Sequence, residues 1–354
     1  MNQQLMEQKR DYVLDLIRTV AIILVVFNHA FEQVYDMTAE VMGAASQSVR
    51  ILAFTGFTLG RLGVPLFMML SGYLLLTRTY DSKGILKFYK KNLLPLVITW
   101  EIWVLLYNLF LWLYNGIAFS FITYLKQAFF ILKINLPHTW YAPTIIGIYL
   151  FIPLVAKVLQ TLDKKLIFIL AAIVFVYFFI VPSINLLKEA QTQLNLYYSG
   201  GIYGLYLTAG YYLKTHPVKA SKASRWVLLI LGICVLFAAI VFIQLYLCQK
   251  GQFYKVWYDF VLFPPFGILV FILFLQKKKK VLPAVFYRIA IAAFGIFLIH
   301  ELFMLPLIDL LGTSLPKIIE VLIAGIGSFL LSYVVIELIS LIPKAGKILF
   351  LRKQ

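Results

Sequence analysis

The sequence predicts an all-α, polytopic membrane helix bundle with about ten transmembrane helices and both termini cytoplasmic. Three observations carry this. The 354-residue chain is 62% hydrophobic and only 13% charged, too apolar for a soluble globule. It contains ten long apolar stretches. Its basic residues crowd into alternate connections between those stretches.

A helix needs roughly 20 mainly apolar residues to cross about 30 Å of hydrocarbon. The stretches that meet this need are 12–34, 51–76, 92–114, 140–156, 166–182, 197–213, 226–248, 257–275, 284–306 and 317–342. The first is expected to be a span rather than a cleaved leader, because it is long, lacks a small-residue cleavage site and carries Asp15, Arg18 and His29. The connections are short, so residues 1–354 are expected to form a single transmembrane domain with no fused soluble domain. Ala118–Leu132 is also apolar, but Lys126 and Gln127 at its middle favour a re-entrant or interfacial helix over an eleventh span.

Orientation follows from charge. Of the 32 Lys and Arg residues, 22 lie at the N-terminus, at the C-terminus or in the connections near 77–91, 157–165, 214–225 and 277–283. Seven lie in the other connections, and Arg18, Arg61 and Arg288 lie within spans. The basic side is the cytoplasmic one. The net charge of +17 is therefore a topology signal, the run Lys277–Lys280 included, and no nucleic-acid partner is expected. Cys234 and Cys248 sit 14 residues apart on one helix, about 21 Å by helical rise, too far for a disulfide. No metal-ligand pattern, phosphate-binding glycine loop or convincing internal repeat is present.

Ionisable groups inside spans are costly, roughly 2.5–3.5 kcal/mol each on insertion scales. Asp15, Arg18, His29 and Glu32 fall on one face of the first span. Arg18 and His29 are eleven residues apart, nearly three turns and about 16 Å along the axis. Such a stripe must face protein or water. It is either structural, with Asp15 pairing Arg18 at i, i+3, or functional. Arg61 interrupts the second span and is either a partner of Asp15, Glu32 or Glu101 or an active group. Gly60, Gly63 and Pro65 beside it allow close helix approach and a kink. Ser71 and Gly72 end that span in supporting roles, since no base lies near Ser71 in sequence. Glu101 stands between Trp100 and Trp103 and calls for a nearby cation. His138 and His300, the latter followed by Glu301, sit in the outer half with His29, whereas His216 is an ordinary loop residue. Arg18, Arg78 and Arg288 line up toward the cytoplasm. This division suits an anionic substrate entering from inside and an uncharged hydroxyl acceptor arriving from outside.

Five strings in order resemble one family. Leu14-Asp15-Leu16-Ile17-Arg18 through Asn28-His29 resembles the Arg-x10-His signature of the membrane-bound acyltransferase 3 family. Gly63-Val64-Pro65-Leu66-Phe67-Met68-Met69-Leu70-Ser71-Gly72-Tyr73 is similar to its second motif, and Lys87-Phe88-Tyr89-Lys90-Lys91 to Pro95 to its basic third-span start. His138-Thr139-Trp140-Tyr141 with Gly147, Tyr149 and Pro153 resembles its His-x-Trp-[Phe/Tyr] segment. Phe297-Leu298-Ile299-His300 resembles its late Leu-x-x-His motif.

The resemblance implies transfer of an acyl group, usually acetyl, from cytoplasmic acyl-CoA across the membrane to a hydroxyl of a glycan or lipid-linked sugar. It implies a stand-alone O-acetyltransferase in a bacterial plasma (inner) membrane, with acetyl-CoA as donor and no metal. In that reading His29 is the catalytic base or carries the acyl group transiently. Arg18 is catalytic or binds acyl-CoA phosphate, with Arg61, Arg78 and Arg288 as further donor-binding cations. His138, Trp140, Tyr141, His300 and Glu301 contact the acceptor, unless Trp140 and Tyr141 belong to the aromatic belt. Asp15, Glu32, Glu101, Ser71 and Gly72 support the site. The alternative is a transporter or flippase for a lipid-linked glycan.

Overall fold

The computed structural model describes residues 11–187, 201–219, 222–277, 283–312 and 315–352. Lys9, Arg10, Lys188, Lys278–Lys280 and Lys353, counted above for orientation, lie outside them. Among the described residues there are helices and no strands. Helix α1 (Tyr12–Val34) starts where the Asp11 side chain accepts a hydrogen bond from the Val13 amide, an N-cap that satisfies an orphan donor. The short α2 (Ala39–Ala44) leads to α3 (Gln47–Arg61) and α4 (Gly63–Leu75). The break at Leu62 has a simple cause. Pro65 has no N–H to give the Arg61 carbonyl, and its ring collides with that carbonyl.

A proline sets the next irregularity as well. After α5 (Ser82–Phe88) a π-turn covers Tyr89–Leu93 before α6 (Leu94–Asn115), where Pro95 cannot donate to the Lys91 carbonyl. Helix α6 stops at Gly116, whose φ of 68° is the left-handed conformation glycine takes freely. Helix α7 (Phe121–Ala128) follows, then α8 (Tyr141–Thr161), α9 (Lys164–Phe175), a π-turn at Val176–Ile180 and α10 (Val181–Leu187). The remainder are α11 (Gly201–Thr215), α12 (Ala223–Gln249), α13 (Phe263–Leu275), α14 (Ala284–Leu311), α15 (Lys317–Ile339) and α16 (Ala345–Phe350).

Among the described residues, eight helical segments are long and apolar enough to cross a membrane: 12–34, 47–75, 82–115, 141–161, 164–184, 223–249, 284–311 and 317–339. The other two expected spans are shorter helices of 15 and 13 residues within the described residues, α11 and α13. Residues 257–262 form turns rather than helix, because the prolines Pro264 and Pro265 can occupy only the first turn of α13. Its 13 residues rise about 20 Å, less than the hydrocarbon thickness. Helix α7, with eight residues, rises about 12 Å and is too short to cross.

The chain divides into two compact units. The first joins the segment through Thr77 to Asp163–Ala290. In it α1 packs against α3, α4 and α13, and α4 against α11. Glycine makes these contacts possible. A Cβ on Gly60 would meet the Asn28 backbone at 2.6 Å, and one on Gly72 or Gly210 would run into the facing carbonyls of Leu207 and Met69. Small residues that bring backbones together are the usual means of helix packing in lipid.

The second unit joins Arg78–Leu162 to the chain from Ile291 onward. Its C-terminal segment folds back onto α6. Thr99 donates to the Ile348 carbonyl at 2.6 Å and the Trp103 indole to that of Leu349 at 2.8 Å. Phe350 is buried, and Arg352 pairs with Glu337 at 2.8 Å.

Candidate functional site

At one end of α1 the Arg18 guanidinium donates to the Asp15 carboxylate at 2.9 Å. The i, i+3 pairing anticipated from sequence is therefore present. Asp15 is buried whereas Arg18 keeps about a third of its side chain exposed. One residue on, the Thr19 hydroxyl donates to the Phe286 carbonyl at 2.9 Å. That bond brings the start of α14, with the exposed Arg288 two residues further, to the same end of α1.

The other end of α1 carries His29, buried to 6% exposure, beside Asn28, whose amide donates to the Phe57 carbonyl at 3.0 Å. His29 Nδ1 lies 4.0 Å from Glu32 Oε2, one turn away, close enough to feel the charge but too far for a hydrogen bond. Glu32 Oε1 receives Lys255 at 2.6 Å, and its other oxygen lies 4.0 Å from Arg61. Arg61 is buried with its guanidinium carbon 4.4 Å from the ring centres of both Phe57 and Trp257, and it donates to the Tyr258 hydroxyl at 3.3 Å. Cation–π contact of this kind stabilises a desolvated guanidinium. Of the three partners proposed for Arg61, Glu32 is the one at ion-pair distance, so Arg61 belongs to the His29 end of α1 and not the Arg18 end.

The loop that supplies Lys255, Trp257 and Tyr258 is held by Gln244. Its amide nitrogen donates to the Thr58 hydroxyl at 2.7 Å, and its oxygen accepts from the Val256 amide at 3.0 Å. Sequence reasoning counted Lys255 only as topology charge and passed over Gln244, Trp257 and Tyr258. Gln244 carried a signal, as an amide deep in an apolar helix. The loop aromatics carried none.

In the second unit His138 and His300 meet edge to face with ring centres 5.1 Å apart. Both are fully enclosed, as is Glu301. Their tautomers follow from their neighbours. The Tyr107 hydroxyl donates its one proton to the Leu298 carbonyl at 2.7 Å, so toward His138 Nε2, 3.0 Å away, it acts as acceptor. His138 therefore bears its proton on Nε2. His300 Nδ1 faces the Phe297 and Ile296 carbonyls at 2.8 and 3.1 Å. Carbonyls only accept, so Nδ1 carries the proton and Nε2, 3.7 Å from Glu301, carries the lone pair. An imidazole oriented by a backbone carbonyl in this way has its basic nitrogen fixed. Tyr107 is the residue that sequence reasoning missed here, one aromatic among many in its helix.

Trp140 is the N-cap of α8 and Tyr141 its first residue, with Tyr141 against Phe297 at 5.1 Å between ring centres. At about 100° per residue, α6 turns Trp100 and Trp103 into the core while Glu101 remains partly exposed. Arg78 is exposed beyond the end of α4, and its carbonyl accepts from Gln160 at 3.0 Å. Ser71 is half-buried, and Gly72 serves the close contact with Leu207 described above.

No curated protein and no solved structure matches the chain. A family model described as an acyltransferase domain matches residues 11–337. That match takes in α1 with both polar ends, the His138 segment and the His300 helix, and on it the chain belongs to the acyltransferase 3 family.

Proposed function

We propose that this protein transfers an acetyl group from acetyl-CoA to a hydroxyl of a glycan or lipid-linked sugar. The single observation that carries the reading is His29. It is a buried imidazole on a membrane-length helix, with the carboxylate of Glu32 one turn beyond at 4.0 Å. A sugar hydroxyl is a poor nucleophile near neutral pH and needs a base, a task that suits histidine.

In this reading His29 takes the hydroxyl proton as the sugar oxygen forms its bond to the acyl carbon. The carbon–sulfur bond of the thioester breaks, and the CoA thiolate leaves and is protonated. Glu32 favours the imidazolium that His29 becomes. Arg18 and Arg288, at the opposite end of α1, offer guanidiniums to the phosphates of the donor, a chemistry for which arginine is well suited. The donor supplies an activated acyl group and the chain binds, orients and moves the proton. His138, Trp140, Tyr141, His300 and Glu301 are assigned to the acceptor, and Arg61 and Arg78 to charge balance or donor contact. Residues 1–354 act as one acyltransferase domain in a plasma membrane.

The test is incubation of the purified protein in lipid nanodiscs with labelled acetyl-CoA and a panel of glycan acceptors. Label appearing on a saccharide in proportion to protein supports the reading. Movement of a lipid-linked glycan across the bilayer with no label transferred would replace it with a transporter.

A further inference from the structure

The second unit carries a half-open cavity of about 660 Å³, of whose lining only Trp140 has been given a role above. Its size falls within the roughly 300–1,000 Å³ usual for small-molecule sites. Trp100, Tyr114 and Trp140 present aromatic walls, and Asn115, Asn135 and Lys133 supply amides and one cation. No acidic residue lines it. The wall formed by residues 130–137 is loop, but it is anchored. Thr139 donates to the Ile134 and Leu136 carbonyls at 3.1 and 2.8 Å, and Gln127 at its edge accepts from Asn108 at 2.6 Å.

One polar group in this wall lacks its complement. Trp100 is 2% exposed, and its indole Nε1 has no hydrogen-bond partner among the described residues. Buried N–H groups are almost always satisfied, and this orphan belongs to a residue that lines the cavity. The cavity also adjoins the histidine pair. Thr139 and Trp140 follow His138 directly, and Leu305 of the lining lies one turn beyond Glu301 on α14.

We infer that this cavity is the subsite for a glycosyl unit of the acceptor, an inference that rests on the acyl-transfer reading above for its choice of ligand. Aromatic faces suit the C–H surface of a pyranose, amides suit its hydroxyls, and the Trp100 N–H suits a ring or glycosidic oxygen. The outer side of the same wall exposes Phe129 and Ile131 at 72 and 74%, a surface matched to lipid. The glycosyl unit is therefore reachable from the bilayer boundary, whether it comes from a free oligosaccharide or from a sugar on a lipid carrier.

Asn135 and Asn115 are exposed lining residues, so Asn135→Cys and, separately, Asn115→Cys serve as reporters in a chain with Cys234 and Cys248 replaced by serine. Each is labelled with a maleimide in nanodiscs, with maltose, N,N′-diacetylchitobiose, cellobiose, octyl glucoside or decylphosphocholine added. Protection by a saccharide or the alkyl glycoside, slowing labelling about tenfold when the probe is at ten times its Kd, is the expected result. Stronger protection by the glycoside than by the free sugars identifies a lipid-borne source, and equal protection a free one. No protection by any sugar-bearing probe, or equal protection by decylphosphocholine, overturns the subsite. Acetyl transfer is measured in parallel on the same preparations. Protection without transfer leaves the subsite standing and removes the acyl-transfer reading; transfer without protection does the reverse.

Discussion

Lys255 Nζ stands 2.6 Å from Glu32 Oε1, across 223 residues of sequence. The carboxylate one turn beyond His29 is thereby shared between a lysine and, at 4.0 Å, the buried Arg61. Replacing it with its neutral isostere, Glu32→Gln, leaves Arg61 with aromatic partners but no carboxylate at ion-pair distance among the described residues. Breaking a fully buried pair costs roughly 3–5 kcal/mol and an exposed one about 0–1. The Glu32 side chain is 21% exposed, so Glu32→Gln is expected to destabilise by about 1–3 kcal/mol, between those limits. Lys255→Met should cost less, because that side chain is one-third exposed. Thermal unfolding in one detergent compares them. A Glu32→Gln protein as stable as the parent would mean that Arg61 is held by its aromatic neighbours alone.

Tyr107 ties His138 to α14 through one hydroxyl. Tyr107→Phe deletes the hydroxyl that contacts both the Leu298 carbonyl and the His138 ring, in a site closed to water. An unsatisfied buried polar group costs roughly 1–3 kcal/mol. The expected outcome is a lower melting temperature together with a raised KM for the acceptor and an unchanged KM for acetyl-CoA. A raised KM for acetyl-CoA alone would move the histidine pair to the donor side.

Arg18 is both an ion-pair partner and the proposed phosphate ligand, and its variants separate the roles. Arg18→Lys keeps a charge for Asp15 but loses the planar fork that grips a phosphate with two hydrogen bonds. It should retain stability and recover only part of the activity, whereas Arg18→Ala should lose acyl-CoA binding or turnover outright. Full transfer by a properly inserted Arg18→Ala protein would reduce Arg18 to the structural partner of Asp15.

Orientation is tested on described, exposed residues. In the chain lacking both cysteines, Lys250→Cys should react with a membrane-impermeant maleimide on intact cells and Lys219→Cys only after permeabilisation. The reverse pattern would invert the bundle and place the Lys255–Glu32 pair on the cytoplasmic side.

How much of this was legible in the sequence depends on the range of the interaction. The polar face of α1 could be read from 3.6-residue periodicity, and the Asp15–Arg18 pair follows from i, i+3 spacing alone. The breaks at Leu62 and Tyr89–Leu93 were latent in Pro65 and Pro95, since a proline dictates which carbonyl four residues back loses its donor. The cluster around Arg61 was not legible. Lys255, Trp257 and Tyr258 lie in a loop nearly two hundred residues away, and nothing local marks them as its partners. Likewise Tyr107 becomes meaningful only once packing sets α14 beside it. The start of the helix predicted at 257 was misjudged because aromatic residues of a folded-back loop score as apolar as those of a span.

His29 carries the sharpest expectation. General-base catalysis typically contributes 10²–10⁴-fold, about 3–5 kcal/mol of barrier. His29→Ala should therefore lose at least about a hundredfold in transfer while still inserting and binding acetyl-CoA. His29→Gln keeps a polar group of similar reach and should be no better, since an amide cannot take a proton. The comparison is made at matched protein level with acetyl-CoA binding measured separately, because replacing any buried polar residue also lowers stability. If His29→Ala keeps more than about a tenth of parental transfer, it falls short of the lower end of that range and His29 is not the base. His300 would then be the next candidate, because its Nδ1 proton is committed to the Phe297 carbonyl at 2.8 Å and its lone pair is fixed on Nε2.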